Sequence, residues 1–308
     1  MLIQQTEMSP ERKKFRRKKA IKNQLKPLMF IGPHLIFFCV FLIFPFFFGI
    51  FISFFRWDVV GGGVREFVGF GNYAQIFDWG STFNREFFEG LGRTCLYTVV
   101  MVPLLICIPM LFAVLLNKIK SKAARYVFQA ILYASSLLSV ATVVIIWSLM
   151  TDQDNGLINN IIGQDINRNY QPYAWIYIFA LTLWSGVGGN MVIFMAGLSN
   201  IPESYYEAAD IDGAGEFIKF WKITLPCMKF QLLYTTVCGT IGAFNVYGQP
   251  ALFGGDDTEV VMIAIKNNID IGLSGMASAM AVLLGIIISL FSGLQFKMMD
   301  KGEGGTVK

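Results

Sequence analysis

Two sets of residues in this chain could do chemistry. The first is Glu207-Ala208-Ala209 followed by Asp212-Gly213-Ala214 and, eleven residues further on, Leu225-Pro226. It pairs a charged edge with small side chains and a turn-forming Gly. A helix carrying Tyr205, Ala208 and Ala209 on one face lets another surface approach closely. The second set is polar and aromatic groups inside apolar stretches: Trp184, Ser185, Gly186, Gly189 and Asn190, then Asn245, Tyr247 and Gln249. Amides that donate and accept, beside aromatic faces, can hold a bound molecule by hydrogen bonds and apolar contact. The same residues also suit hydrogen bonding and close packing between membrane helices. Other chemistries lack their residues. No G-x-x-x-x-G-K-[ST] phosphate loop occurs, and Gly61-Gly62-Gly63 is followed by Val64 and Arg65. The five Cys and the single His34 have no metal-ligand spacing, so no metal site and no catalytic residue is expected.

The elements that must position these residues are membrane helices. The 308 residues are 55% hydrophobic and only 15% charged, against about a quarter charged in soluble domains. That excludes a disordered chain, a coiled coil and a disulfide scaffold. Six stretches run beyond about 20 residues without Asp, Glu, Lys or Arg. They are Leu28–Phe55, Thr94–Leu116, Tyr126–Met150, Tyr173–Leu198, Phe230–Phe253 and Ile271–Phe296. The first is too long for a signal peptide and lacks an A-x-A cleavage site, so it is expected to stay as a helix. Pro33, Pro45, Pro103, Pro109 and Pro250 fall inside the stretches, which requires neighbours to satisfy the freed carbonyls. The expected fold is an all-α polytopic membrane protein of six helices.

Lys and Arg set the orientation. The N-terminus and alternate connections carry 19 of them, and the opposite side carries 6. With the acidic residues, one side is +10 and the other −6. Both termini are expected in the cytoplasm, with 1–27 a basic segment, 28–299 the six-helix domain and 300–308 a tail. The run Arg12–Lys19 reads as a membrane-facing topogenic segment before a nucleic-acid patch. The spans carry no acid or base, which disfavours a proton- or sodium-coupled carrier and suits a neutral solute.

The connection 200–226 lies on the cytoplasmic side by this count and is long for a loop. Pro202 suits the first turn of a helix, Glu203 and Glu207 suit its positive end, and Gly213 suits its stop. A second helix from Ala214 to Thr224 completes a helix–turn–helix knob. An amphipathic helix lying flat on the membrane is the alternative.

The motif Glu207-Ala208-Ala209, Asp212-Gly213-Ala214, Ile223-Thr224-Leu225-Pro226 resembles the "EAA" signature of binding-protein-dependent ABC importer permeases. Phe70-Gly71-Asn72-Tyr73 and Phe244-Asn245-Val246-Tyr247-Gly248-Gln249-Pro250 with Gly254-Gly255 resemble segments of the carbohydrate, maltose-transporter-like branch. The last element departs from that branch at Leu252-Phe253-Gly254-Gly255-Asp256. The resemblance implies a type I ABC importer permease fold in a bacterial or archaeal cytoplasmic membrane. It implies that Glu207, Ala208, Ala209, Asp212 and Gly213 meet a cytoplasmic ATPase subunit. It implies solute contacts on the helix before the knob and in the Phe244–Pro250 region. The implied partners are a second permease, a dimer of ATPase subunits and an extracellular binding protein. No cofactor is expected on this chain, since ATP and Mg would sit on the ATPase. A glycerol-phosphate or polyol permease is the alternative within that family, and a secondary carrier outside it.

Overall fold

The structure is a computed structural model and describes residues 31–58, 63–152, 156–162 and 172–300, with the side chains of 64, 159, 162, 256, 299 and 300 excepted. The basic N-terminal segment, the start of the first expected span, Gly61-Gly62, Arg168 and the tail beyond 300 lie outside the described residues.

Helix α1 (Ile31–Ile52) is apolar along its length, and none of its membrane-length window is buried against the rest of the chain. Its Phe residues stack on each other at i,i+4 instead, Phe37 on Phe41 at 6.0 Å and Phe44 on Phe48 at 5.6 Å. A π-helical turn at Cys39–Ile43 ends two residues before Pro45, where the widened turn accommodates the missing N–H. Strands β1 (Phe55–Asp58) and β2 (Val64–Phe67) then pair antiparallel, with Phe55 opposite Phe67. This hairpin corrects the all-α expectation. Aromatic residues occur in both strands and Val64 opens the second, and Gly63 turns at φ 73°, which only Gly adopts freely. Arg65 lies 4.2 Å over the Trp57 ring, across the same pair.

Helix α2 (Gly71–Phe77) leads into α3 (Thr82–Asn117). At 36 residues, α3 is about 54 Å long and outruns a bilayer core. It supplies side chains to all three hydrophobic clusters: Phe87 to one, Tyr97 and Met101 to the second, Met110 and Ala113 to the third. It is the post around which the other helices pack. Next come α4 (Lys122–Ala134), α5 (Val140–Met150), α6 (Leu157–Ile162) and α7 (Tyr173–Ser199). The knob consists of α8 (Glu203–Ile211) and α9 (Glu216–Lys219), continued by a π-helical turn Phe220–Thr224. Then follow α10 (Lys229–Phe244), α11 (Gly248–Phe253), α12 (Val261–Asp270) and α13 (Ser274–Asp300).

Two of the six stretches expected to be continuous are broken. Among the described residues, four helices are long and apolar enough to cross a membrane unaided: α1, α3, α7 and α13 through Met298. The third expected span bends by 100° between Leu137 and Val140. Leu138 is extended, and Ser139 caps the new helix by accepting from the Thr142 N–H at 3.2 Å. The fifth stops at Phe244. Asn245 turns its amide back to the Ile241 carbonyl at 2.7 Å, and a new helix starts at Gly248 with Pro250 in its first turn.

Candidate functional site

The geometry of the knob follows directly from its residues. Helix α8 is capped by Pro202, whose backbone is extended, so Pro202 sits one residue outside the helix rather than at its first position. The helix ends in a Schellman turn. The Ala214 N–H reaches the Ala209 carbonyl at 2.8 Å and the Gly213 N–H reaches the Asp210 carbonyl at 3.0 Å. Gly213 holds φ 71°, with open space where a Cβ would stand. A side chain there meets only backbone strain.

The second helix is shorter than expected. It gives way to the π turn, where the Thr224 hydroxyl meets the Tyr206 hydroxyl at 2.9 Å and locks the first helix to the base. Glu207, Ala208, Asp212 and Gly213 are exposed, while Ala209 is half-buried. Glu207 makes no ion pair among the described residues, unlike its neighbours. Lys219, 12% exposed, bonds Asp210 of α8 and Glu216 of α9, the latter at 3.3 Å. Lys118, which caps the end of α3, bonds the other oxygen of Glu216 at 2.6 Å. These ammonium donors hold the Glu216 carboxyl below its usual range, Lys118 contributing most. The Asp210 carboxylate, ahead of Glu216, pushes Lys219 upward. The charge chain was not legible in sequence, since residues 118 and 216 meet only through the fold. Under the knob lies an apolar cavity of about 900 Å³, floored by Leu111, Val114 and Leu115 and walled by Phe217, Phe220 and Trp221.

The residues expected to meet a solute divide differently from the sequence reading. Most of those on α7 are used between helices. Pro109 has no N–H, so the Leu105 carbonyl one turn earlier lacks its helical donor. The Asn190 amide donates to that carbonyl at 2.8 Å. Gly186 lies against the Leu105 side chain, where a Cβ would come within 2.7 Å. The Gly189 N–H donates to the Ser136 hydroxyl at 3.2 Å, and the Ser185 hydroxyl donates to the Thr182 carbonyl at 3.1 Å. Ser135 donates to the Trp184 carbonyl at 2.8 Å. Gly188, absent from the sequence reading, makes the tightest approach among the α7 glycines, since a Cβ there would meet the Leu132 carbonyl at 2.6 Å.

The Trp184 ring is left exposed, edge-on to Trp147 of α5 at 6.4 Å. At the break after α10, Asn245 and Tyr247 are exposed and Gln249 is half-buried. Here α5 joins the two groups. Val140 at its start touches Gly248, and Trp147 near its end touches Trp184. Among the described residues no hydrogen bond links Trp184 directly to Asn245 or Tyr247. What gathers around α5 is a broken helix, two aromatic faces and a free amide edge. A discontinuous helix within a bundle leaves main-chain groups available to a bound molecule.

The segment Phe70–Tyr73 has a structural role. The Asn72 amide donates to the Ser53 and Phe55 carbonyls at 2.8 and 2.9 Å, and the Tyr73 hydroxyl meets the Ser53 hydroxyl at 2.7 Å. It ties the end of α1 to the hairpin. At this end of α3, far from the knob, a polar cleft of about 340 Å³ is lined by Arg85, Glu86, Glu89 and Arg93.

Known proteins share both the sequence and this architecture. Residues 73–303 match the family described as binding-protein-dependent transport system inner membrane component. The arabinooligosaccharides transport system permease protein AraP of Halalkalibacterium halodurans is 32% identical over 92% of this chain and 90% of its own length. The multiple sugar-binding transport system permease protein MsmF of Streptococcus mutans is 29% identical, over 86% and 91%. A crystal structure of a bacterial ABC transporter that imports the acidic polysaccharide alginate superposes with a TM-score of 0.80, at 20% identity, over 93% of this chain and 99% of that one. The chain is therefore a permease of the binding-protein-dependent transport family, an inner membrane transport component and not an enzyme.

Proposed function

We propose that this chain is the membrane-spanning permease of an ATP-driven importer that carries a neutral sugar or oligosaccharide. The observation that carries this reading is the nearly full-length similarity to sugar permeases, 92% of this chain against 90% of the relative for AraP. The residues at the α10–α11 break agree with it. Asn245, Tyr247 and Gln249 offer amides and an aromatic face without a charge. A phosphate ester would want a cation there, and Lys266 is engaged by Asp270.

The parts of the transport cycle map onto the chain as follows. Each broken stretch, α4–α5 and α10–α11, crosses once, which gives six crossings with both termini in the cytoplasm of a bacterial or archaeal cell. The knob faces the cytoplasm and docks on an ATPase subunit. Glu207 offers the charge, Ala208 and Ala209 the close approach, Asp212 and Gly213 the turn. The ATPase dimer holds ATP and Mg, and this chain binds no cofactor. A second permease covers α1, whose membrane-length window is left unburied by the described residues. An extracellular binding protein delivers the sugar. A related alginate importer has been solved with a saccharide-bound periplasmic protein.

The test is uptake by Asn245→Ala and Tyr247→Ala in the assembled importer. Each variant is expected to lower sugar uptake while the ATPase still co-purifies. Normal uptake in both removes the break from the solute path.

A further inference from the structure

We propose that Glu216 and Lys219 are positioning residues that, through Lys118, deliver movement of the knob to the end of α3. This rests on the reading of the knob as the ATPase contact and specifies how that contact reaches the spans. Four charges of alternating sign run from Asp210 through Lys219 and Glu216 to Lys118. They connect three elements: α8, which carries the docking residues, α9, and the last turn of α3. Lys219 is the inner member, 12% exposed, and it holds the two knob helices at a fixed angle. Glu216 divides its two oxygens between Lys219 and Lys118.

The position of this chain of charges gives it a mechanical meaning. The cavity of about 900 Å³ between Leu111, Val114 and Leu115 of α3 and Phe217 and Trp221 of the knob leaves the apolar contact there incomplete. Both Lys118 and Glu216 line that cavity, so the ion pair closes the gap at its rim. Below it, α3 runs through every hydrophobic cluster and meets Asn190 at Leu105. A displacement handed to Lys118 therefore reaches the helix against which Gly186 and Asn190 of α7 are seated. Exposed ion pairs add little to stability, so their loss here should cost coupling rather than folding.

The experiment uses the assembled importer in proteoliposomes, with ATP hydrolysis, sugar uptake and ATPase co-purification read together. Lys118→Ala and Glu216→Gln are each expected to lower uptake at least about fivefold, the low end of coupling between sites, with co-purification and hydrolysis within about twofold of wild type. The double variant is expected to match either single one, and Lys118→Arg to retain uptake. Unchanged uptake in both single variants, additive losses in the double variant, or loss of co-purification would overturn the proposal. Glu207→Lys separates the two levels. If it leaves docking and uptake normal, the knob is not the ATPase contact and the relay falls with it. If it abolishes docking while Lys118→Ala changes nothing, the relay alone is wrong.

Discussion

Asn190→Ala tests whether that amide serves the neighbouring helix or the solute. In this structure it replaces the donor that Pro109 lacks, bonding the Leu105 carbonyl at 2.8 Å. Interhelical hydrogen bonds in membranes average about 0.6 kcal/mol and reach about 1.7. The Leu105 carbonyl would be left without any donor, which places the loss toward the upper half of that range, about 1 kcal/mol. That is about a fivefold change in the unfolding equilibrium. Pro109→Ala restores an N–H that bonds Leu105 within α3 itself. In that background Asn190→Ala should cost less than about 0.3 kcal/mol, within the scatter of independent sites. The assay is reversible unfolding of the purified permease in mixed micelles, followed by Trp fluorescence across the four-member cycle. The same penalty with and without Pro109 would refute the reasoning. A parallel uptake measurement should show KM unchanged by Asn190→Ala, whereas a tenfold rise would return the residue to the solute site.

The remaining predictions address the turn, the outer tie and the charge chain. Gly213→Asn should retain more docking than Gly213→Val in ATPase co-purification. Only the backbone conformation at φ 71° is at stake, and Asn tolerates it at a fraction of the about 1–2 kcal/mol that other residues lose. Equal retention would contradict that. Asn72→Ala removes donors to two carbonyls at the end of α1 and should lower stability by about 1–3 kcal/mol in thermal unfolding, since those carbonyls lose their partner. The Glu216 carboxyl, held down mainly by Lys118, should titrate below its ordinary 4.5 by carbon NMR. With a lowered folded pKa, the contribution of the pair is complete above that ordinary value and is lost as pH falls through the lower one. A midpoint at or above 4.5 would contradict the pairing, and Lys118→Ala should move it upward.

How far the sequence disclosed this structure depends on the range of each interaction. Apolar runs located the membrane helices, because burial in lipid depends on composition alone. The helix stop at Gly213 was legible too, being decided within a few residues. The breaks were not. Asn245 and the serines at 135 and 139 bond locally at the breaks, yet they carry no charge and so remained invisible to a charge-free window. Pro109 signalled that some carbonyl needed a donor, and Asn190 was marked as polar. Only the packing of α3 on α7 made them partners, and it gave Asn190, Gly186 and Gly189 contacts to neighbouring helices that no local pattern announced. The hairpin was lost because its four-residue strands follow the first apolar run as short charged segments, too brief for an alternating pattern to mark them as strands. The link between Lys118 and Glu216 spans the whole middle of the chain and had no local signature.

The central claim is that the knob meets the ATPase. Its most direct test is cysteine cross-linking in inverted membrane vesicles, with the five native cysteines replaced and one introduced by Ala208→Cys. The account predicts a cross-link between position 208 and the ATPase subunit, lost together with uptake when Glu207→Lys is added. An uncross-linked position 208 in transport-competent vesicles, or its labelling from outside intact cells, would contradict the account.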